Sequence, residues 1–139
     1  MSFINGFDIA ASALTAQRTR LNITASNLAN ADTTRTAGGG VYLRQQAVFT
    51  ATESRFGGEM DRAVSRVDVT SVQADTTTPT KMVYEPGHPD ANQDGFVEYP
   101  NVNIVEEMAE MVTASRSYEA NVTSFETLKK MALRALNIG

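Results

Sequence analysis

The last quarter of the chain reads IVEEMAEMVTASRSYEANVTSFETLKKMALRAL over residues 104–136 and contains neither proline nor glycine. Apolar or small side chains recur along it in alternating steps of four and three residues, a spacing that turns one helical face toward a partner helix. The apolar members of this stripe are Ile104, Met108, Met111, Tyr118, Val122, Phe125 and Leu136. The pattern predicts a single helix of about 33 residues, roughly 50 Å long.

Capping and charge agree with this helix. Asn101 or Asn103 can cap its start, and Glu106 and Glu107 then lie in the first turn, where the helix dipole favours acidic groups. Three basic residues between positions 129 and 134 lie near the other end, which favours the opposite sign.

A second helix is predicted at the other end of the chain, over residues 3–30. Four large apolar residues recur there every seven positions, namely Phe7, Leu14, Leu21 and Leu28. This recurrence is typical of a helix that packs along a partner with a left-handed supercoil. Asn30 is expected to end the helix, because Asn tolerates the left-handed conformation and short polar side chains compete for the backbone.

The middle of the chain has a different texture. Residues 41–49, 64–72, 81–85 and 96–99 are rich in Val, Thr and Tyr and predict short strands, while glycine- and proline-rich stretches such as 57–58 and 86–95 predict turns. We therefore expect a mainly α fold with a small, irregular β-rich insert, in which the two long helices pack antiparallel as a coiled-coil-like pair. The expected divisions are an N-terminal helix (1–36), the insert (37–100) and a C-terminal helix (101–139).

Composition excludes several classes of protein. The net charge is −4, and the 12 basic residues form no patch in the sequence, which argues against nucleic-acid binding. No apolar run is long enough for a membrane span. The chain has no cysteine, which removes thiolate zinc sites and cysteine nucleophiles. We expect no catalytic residues, no metal and no cofactor.

One loop leaves an alternative open. Residues 90–98 match the first nine positions of an EF-hand calcium loop, with Gly95 at position six, but the bidentate carboxylate of position twelve is replaced by Asn101. The alternative function is therefore a soluble calcium-responsive binding module. A third hypothesis, a wall-cleaving enzyme, would use carboxylates of the same loop. We interpret the loop as a polar turn in which Asp90 and Asn92 bond to the backbone and Gly95 has a positive φ.

Both ends of the chain resemble known signatures. Residues 12–17, Leu21 and residues 25–33 (ASNLANADT) resemble the N-terminal signature of the flagellar rod and hook axial proteins, and residues 115–121 (SRSYEAN) resemble its C-terminal counterpart. The stretches 30–46 and 83–103 resemble the proximal-rod members of that family. The signature residues are Asn27, Leu28, Ala29, Asn30, Thr33, Tyr118, Ala120 and Asn121.

The resemblance implies a function that the spacing does not show. Such proteins are structural subunits of the basal-body rod and not enzymes, and they transmit torque in flagellum-dependent motility. Their terminal helices form the inner tube, and their inserts face outward. Their partners are other copies, other rod proteins and the flagellar type III export apparatus, which delivers them to the periplasmic space without a cleaved signal peptide. The resemblance implies neither a nucleic-acid partner nor a membrane span.

Overall fold

A computed structural model of the chain describes residues 3–53 and 65–137. It consists of two long helices that flank two small antiparallel sheets. The helices are α1 (Phe3–Ala29) and α2 (Ile104–Asn137), and the strands are β1 (Gln45–Glu53), β2 (Ser65–Ala74), β3 (Lys81–Tyr84) and β4 (Phe96–Tyr99). Two long terminal helices with a small β middle are therefore confirmed. In the parts of the chain that are described, no helix is long and apolar enough to cross a membrane.

The strands form two separate hairpins. β1 pairs with β2 from Gln45–Ala74 to Glu53–Ser65, with an irregularity between Val48 and Phe49. β3 pairs with β4 from Lys81–Tyr99 to Tyr84–Phe96. The prediction of 96–99 as a strand is confirmed. Position 64 and the predicted turn at 57–58 lie outside the described residues.

The first predicted strand is shifted. Residues 41–44 are not in β1, although their composition favours a strand, because their backbone groups bind other partners. The N–H of Tyr42 donates to the carbonyl of Thr33 at 3.3 Å. The N–H of Arg44 donates to the side chain of Asn101 at 2.8 Å. Regular pairing therefore begins only at Gln45.

Side-chain hydrogen bonds explain where α1 ends and where α2 begins, which we call the inner ends of the two helices. α1 ends before Asn30, whose amide donates to the carbonyl of Ser26 at 2.8 Å. The predicted left-handed conformation of Asn30 is wrong, since positive φ occurs only at glycines among the described residues. The competing side-chain bond ends the helix instead. α2 begins after Asn103, whose side chain accepts the N–H of Val105 at 3.2 Å, so Asn103 is the cap.

The two helices contact each other near both of their ends. The rings of Phe7 and Phe125 lie edge to face at 5.2 Å, and the amide of Asn27 donates to Glu107 at 3.1 Å. The hairpin of β1 and β2 packs on α1, where the N–H of Val67 donates to Ser12 at 3.3 Å. The helices thus form the body on which the first hairpin rests.

Candidate functional site

The end of α1 and the start of α2 meet β1 at a partly buried cluster, which we call the polar junction: Asn27, Tyr42, Arg44, Gln45 and Glu107. Asn27 and Glu107 are its buried members. The amide oxygen of Asn27 accepts the N–H of Gln45 and the hydroxyl of Tyr42, both at 2.9 Å. Its amide nitrogen donates to the carbonyl of Gln45 at 2.9 Å and to Glu107. Asn27 therefore pairs with the backbone of Gln45 through both a donor and an acceptor, as a neighbouring strand would, and joins α1 to both β1 and α2.

An ion pair completes the polar junction. Glu107 is fully buried, and the Nε of Arg44 donates to its carboxylate at 2.5 Å. A second carboxylate, that of the half-exposed Glu110, lies 3.7 Å from Arg44. Burial opposes the charge of Arg44, but its hydrogen bond to Glu107 and the nearby carboxylates outweigh this effect and raise the pKa of Arg44. The buried carboxylate is thus paired and hydrogen-bonded, the condition under which a protein interior holds a charge.

Asn101 ties the second sheet to this cluster. The side chain of Asn101 is buried, and its oxygen accepts the N–H of Arg44. Its amide donates to the carbonyls of Asp75 and Thr78 at 2.9 and 3.0 Å. The segment after β2 and the segment before α2 are thereby fixed to the junction.

The predicted helix stripes fall into two groups in the described structure. The half-buried members are Phe7, Leu14, Leu21, Leu28, Met111, Val122 and Phe125. The exposed members are Ile104, Met108, Tyr118 and Leu136, with 36 to 77% of their surface accessible. The stripe on α2 is thus only partly covered within the described structure, although its members share one helical face.

The fully buried helix residues are small or polar, and the sequence stripes did not include them as apolar packing positions. They are Ala16, Thr24, Asn27, Glu107 and Ala114. Glu107 and Ala114 lie seven residues apart, so they share one face of α2. The sequence places both Glu106 and Glu107 in the first turn of α2. No sequence signal distinguishes Glu107, which is buried, from Glu106, which is exposed.

The N-terminal signature residues cluster around the end of α1. Asn27 lies in the polar junction, and Asn30 caps the helix. The hydroxyl of Thr33 donates to the side chain of Asn30 at 3.1 Å. At the other end of the chain, Tyr118 and Ala120 are exposed on α2 and Asn121 is half-buried. Leu28 is half-buried and Ala29 is exposed.

The calcium-like loop uses its oxygens within the protein. The carboxylate of Asp90 accepts the hydroxyl of Thr34 at 2.8 Å and lies 3.5 Å from Arg35. The side-chain oxygen of Asn92 accepts the N–H groups of Asp94 and Phe96. The Asx turn predicted at Asn92 is confirmed, whereas Asp90 binds side chains and not the backbone.

Gly95 completes this turn with the positive φ that we predicted, at 81°. Among residues 3–53 and 65–137, no group of three acidic or histidine side chains is arranged to hold a metal. No finding supports the calcium-binding alternative.

Comparison with known proteins agrees with this architecture. The family model described as Flagella basal body rod protein matches residues 7–35, and that described as Flagellar basal body rod FlgEFG protein C-terminal matches residues 93–138. These matches cover most of α1 with the turn after it, and α2 with the segment before it.

Curated relatives match the chain from end to end. The flagellar basal-body rod protein FlgC of Escherichia coli O157:H7 is 47% identical, that of Salmonella typhimurium 45% and that of Bacillus subtilis 38%, each over 100% of this chain and 99% of the relative. The chain therefore belongs to the FlgC family of flagellar basal-body rod proteins.

Proposed function

We propose that this chain is a structural subunit of the proximal flagellar rod, which assembles with other copies and other rod proteins through its terminal helices and transmits torque. The observation that carries this proposal is the full-length similarity to FlgC proteins, with the two family matches falling on the two helices. The role is structural and not enzymatic.

The terminal helices act in this proposal as one antiparallel, coiled-coil-like unit. Contacts between opposite ends support it: Phe7 near the start of α1 meets Phe125 near the end of α2, and Asn27 near the end of α1 meets Glu107 near the start of α2. Residues 1–36 and 101–139 would then form the inner-tube domain. Residues 37–100 would form the outer insert.

The open face of α2 supports assembly. Val105, Met108 and Val112 lie on one side of α2 and expose 53 to 74% of their surface, and Leu136 near the end of the helix exposes 77%. Burial of apolar surface contributes about 25 cal/mol per Å², so a face of this kind is stabilised when a neighbouring molecule covers it. In our proposal, helices of neighbouring rod subunits provide that cover.

The location follows from the same assignment. Family membership supports a place in the flagellar basal body. We place the subunit in the periplasmic part of the rod, after export through the flagellar type III apparatus. The sequence contains no cysteine, so folding after export needs no disulfide.

Charge insertion into the helix stripes tests the proposal. Leu21→Asp and Val122→Asp each place a carboxylate at a half-buried stripe position. We expect each to abolish rod assembly and swimming, because packing of the helices would bury an unpaired charge at a cost on the order of several kcal/mol. Complementation of a strain lacking this gene, with swimming assays and electron microscopy of basal bodies, measures the effect.

Gln93→Asp is the matched control, because it adds the same charge to an exposed loop of the insert and should leave swimming unchanged. Normal rods in cells carrying either stripe variant would overturn the proposal.

A further inference from the structure

A cleft of about 470 Å³ lies where the end of α1, the hairpin of β3 and β4, and the start of α2 meet. We call it the sheet-end cleft. Apolar side chains of Val83, Val102 and Ile104 line it, and Val83 and Ile104 are 39 and 44% exposed. Asp32, Glu85 and Lys81 are the charged residues of the lining, which gives the cleft a net negative charge.

The far end of α2 has the complementary character. Leu133 and Leu136 are 51 and 77% exposed and lie three residues apart, so they share one face of the helix. Lys129 and Lys130 precede Leu133 by four and three residues and flank the same face. Within the described ranges, neither lysine forms an ion pair, since the ion pairs found there involve only arginines.

These two surfaces cannot meet within one molecule. They lie at opposite ends of α2, whose 34 residues span about 50 Å. We infer that the sheet-end cleft binds the C-terminal end of α2, residues 129–137, of a second copy of this chain. Leucines enter the apolar part of the cleft, and the lysines approach Asp32 and Glu85.

This contact joins the tail of one copy to the head of the next. Such a heterologous contact leaves a free cleft and a free helix end on the pair, so it can be repeated. The inference rests on the proposed rod function but adds to it, because sideways packing of the helices alone would not bring these two ends together. It therefore assigns a direction to the assembly.

Disulfide cross-linking tests the contact cleanly, because the chain has no cysteine of its own. We would introduce Val83→Cys together with Leu133→Cys and oxidise both the concentrated purified protein and cells that still swim. The expected result is a ladder of dimers and larger species. Val72→Cys with Leu133→Cys is the matched control, since Val72 is a 48% exposed valine on β2 that does not line the cleft.

Charge reversal adds a second measurement. Lys129→Glu with Lys130→Glu should reduce the yield of the cleft cross-link several-fold, and so should high salt, because the attraction between exposed charges is screened. Equal ladders from the Val72 control, or no ladder in swimming cells, would overturn the head-to-tail contact. Neither result would affect the rod assignment, which the stripe variants test separately.

Discussion

The two helices are held together in different ways at their inner end, where α1 ends and α2 begins, and at their outer end, where α1 begins and α2 ends. At the inner end, Asn27 and Glu107 are buried and take part in a hydrogen-bonded network that also reaches β1. At the outer end, the Phe7–Phe125 pair is the aromatic contact, and Met131, Leu133 and Leu136 beyond it are 47 to 77% exposed.

This difference shows which part of the fold the chain specifies by itself. Hydrogen bonds are directional, so a buried polar network permits one register of α1, β1 and α2 and penalises the others. Apolar contacts are not directional, and at the outer end they leave much of the surface uncovered. The inner end is therefore defined within the monomer, whereas the outer end exposes apolar surface that neighbouring subunits would cover in the proposed assembly.

Removal of the buried carboxylate should have the largest effect on this contrast. Glu107→Ala removes the carboxylate that accepts from the guanidinium of Arg44 and from the amide of Asn27. Arg44 keeps the carboxylate of Glu110 and Asn27 keeps the carbonyl of Gln45, so we expect a loss of about 3 kcal/mol in the free energy of unfolding, the lower end of the range for a broken buried pair. Urea denaturation of the purified protein, followed by circular dichroism, measures this loss.

Glu110→Ala provides the control for that experiment. Glu110 also faces Arg44, but its side chain is 52% exposed and 3.7 Å away, so its removal should cost less than about 1 kcal/mol. Equal losses for the two variants would show that the buried network is not what holds the inner end.

The two helices and the presence of a β insert could be predicted from sequence because their signals are local. Apolar periodicity, a capping asparagine before α2 (Asn101 or Asn103) and the break in pattern after Asn30 all lie within short stretches of chain. The structure selects Asn103 as the cap. The polar junction could not be predicted, because its members lie up to 80 residues apart, and the signature that contains Asn27 does not indicate which residues it contacts. Residues 41–44 show the consequence, since long-range bonds override their strand composition.

An outer-end variant should act locally. Phe125→Ala removes one ring of the Phe7–Phe125 pair, and we expect a loss of about 1–2 kcal/mol, because Phe125 is only half-buried. In amide hydrogen exchange of the monomer, residues 5–14 should exchange faster while residues 20–28 remain protected. Faster exchange over the whole of α1 would mean that both ends open as one unit, and would contradict the contrast.

The smallest expected effect is a response to acid next to the junction. The hydroxyl of Thr78 and the N–H groups of Thr77 and Thr78 lower the pKa of Asp75 from 3.8 to about 2. Because the folded-state value is the lower one, this carboxylate stabilises the fold above pH 3.8, and its contribution is lost as the pH falls toward about 2.

Asp75→Asn keeps the shape and one oxygen but removes the titration, so the melting temperature of the variant should fall less steeply than that of the wild type over this pH interval. Asp94→Asn is the control, since the carboxylate of Asp94 accepts no hydrogen bond from the described residues. Asp75 is linked to the polar junction through its carbonyl, which accepts the amide of Asn101. Acid should therefore loosen the inner end first, so amide exchange at pH 3 should rise first in residues 20–28. If it rose first in residues 5–14, the acid-sensitive contacts would lie at the outer end.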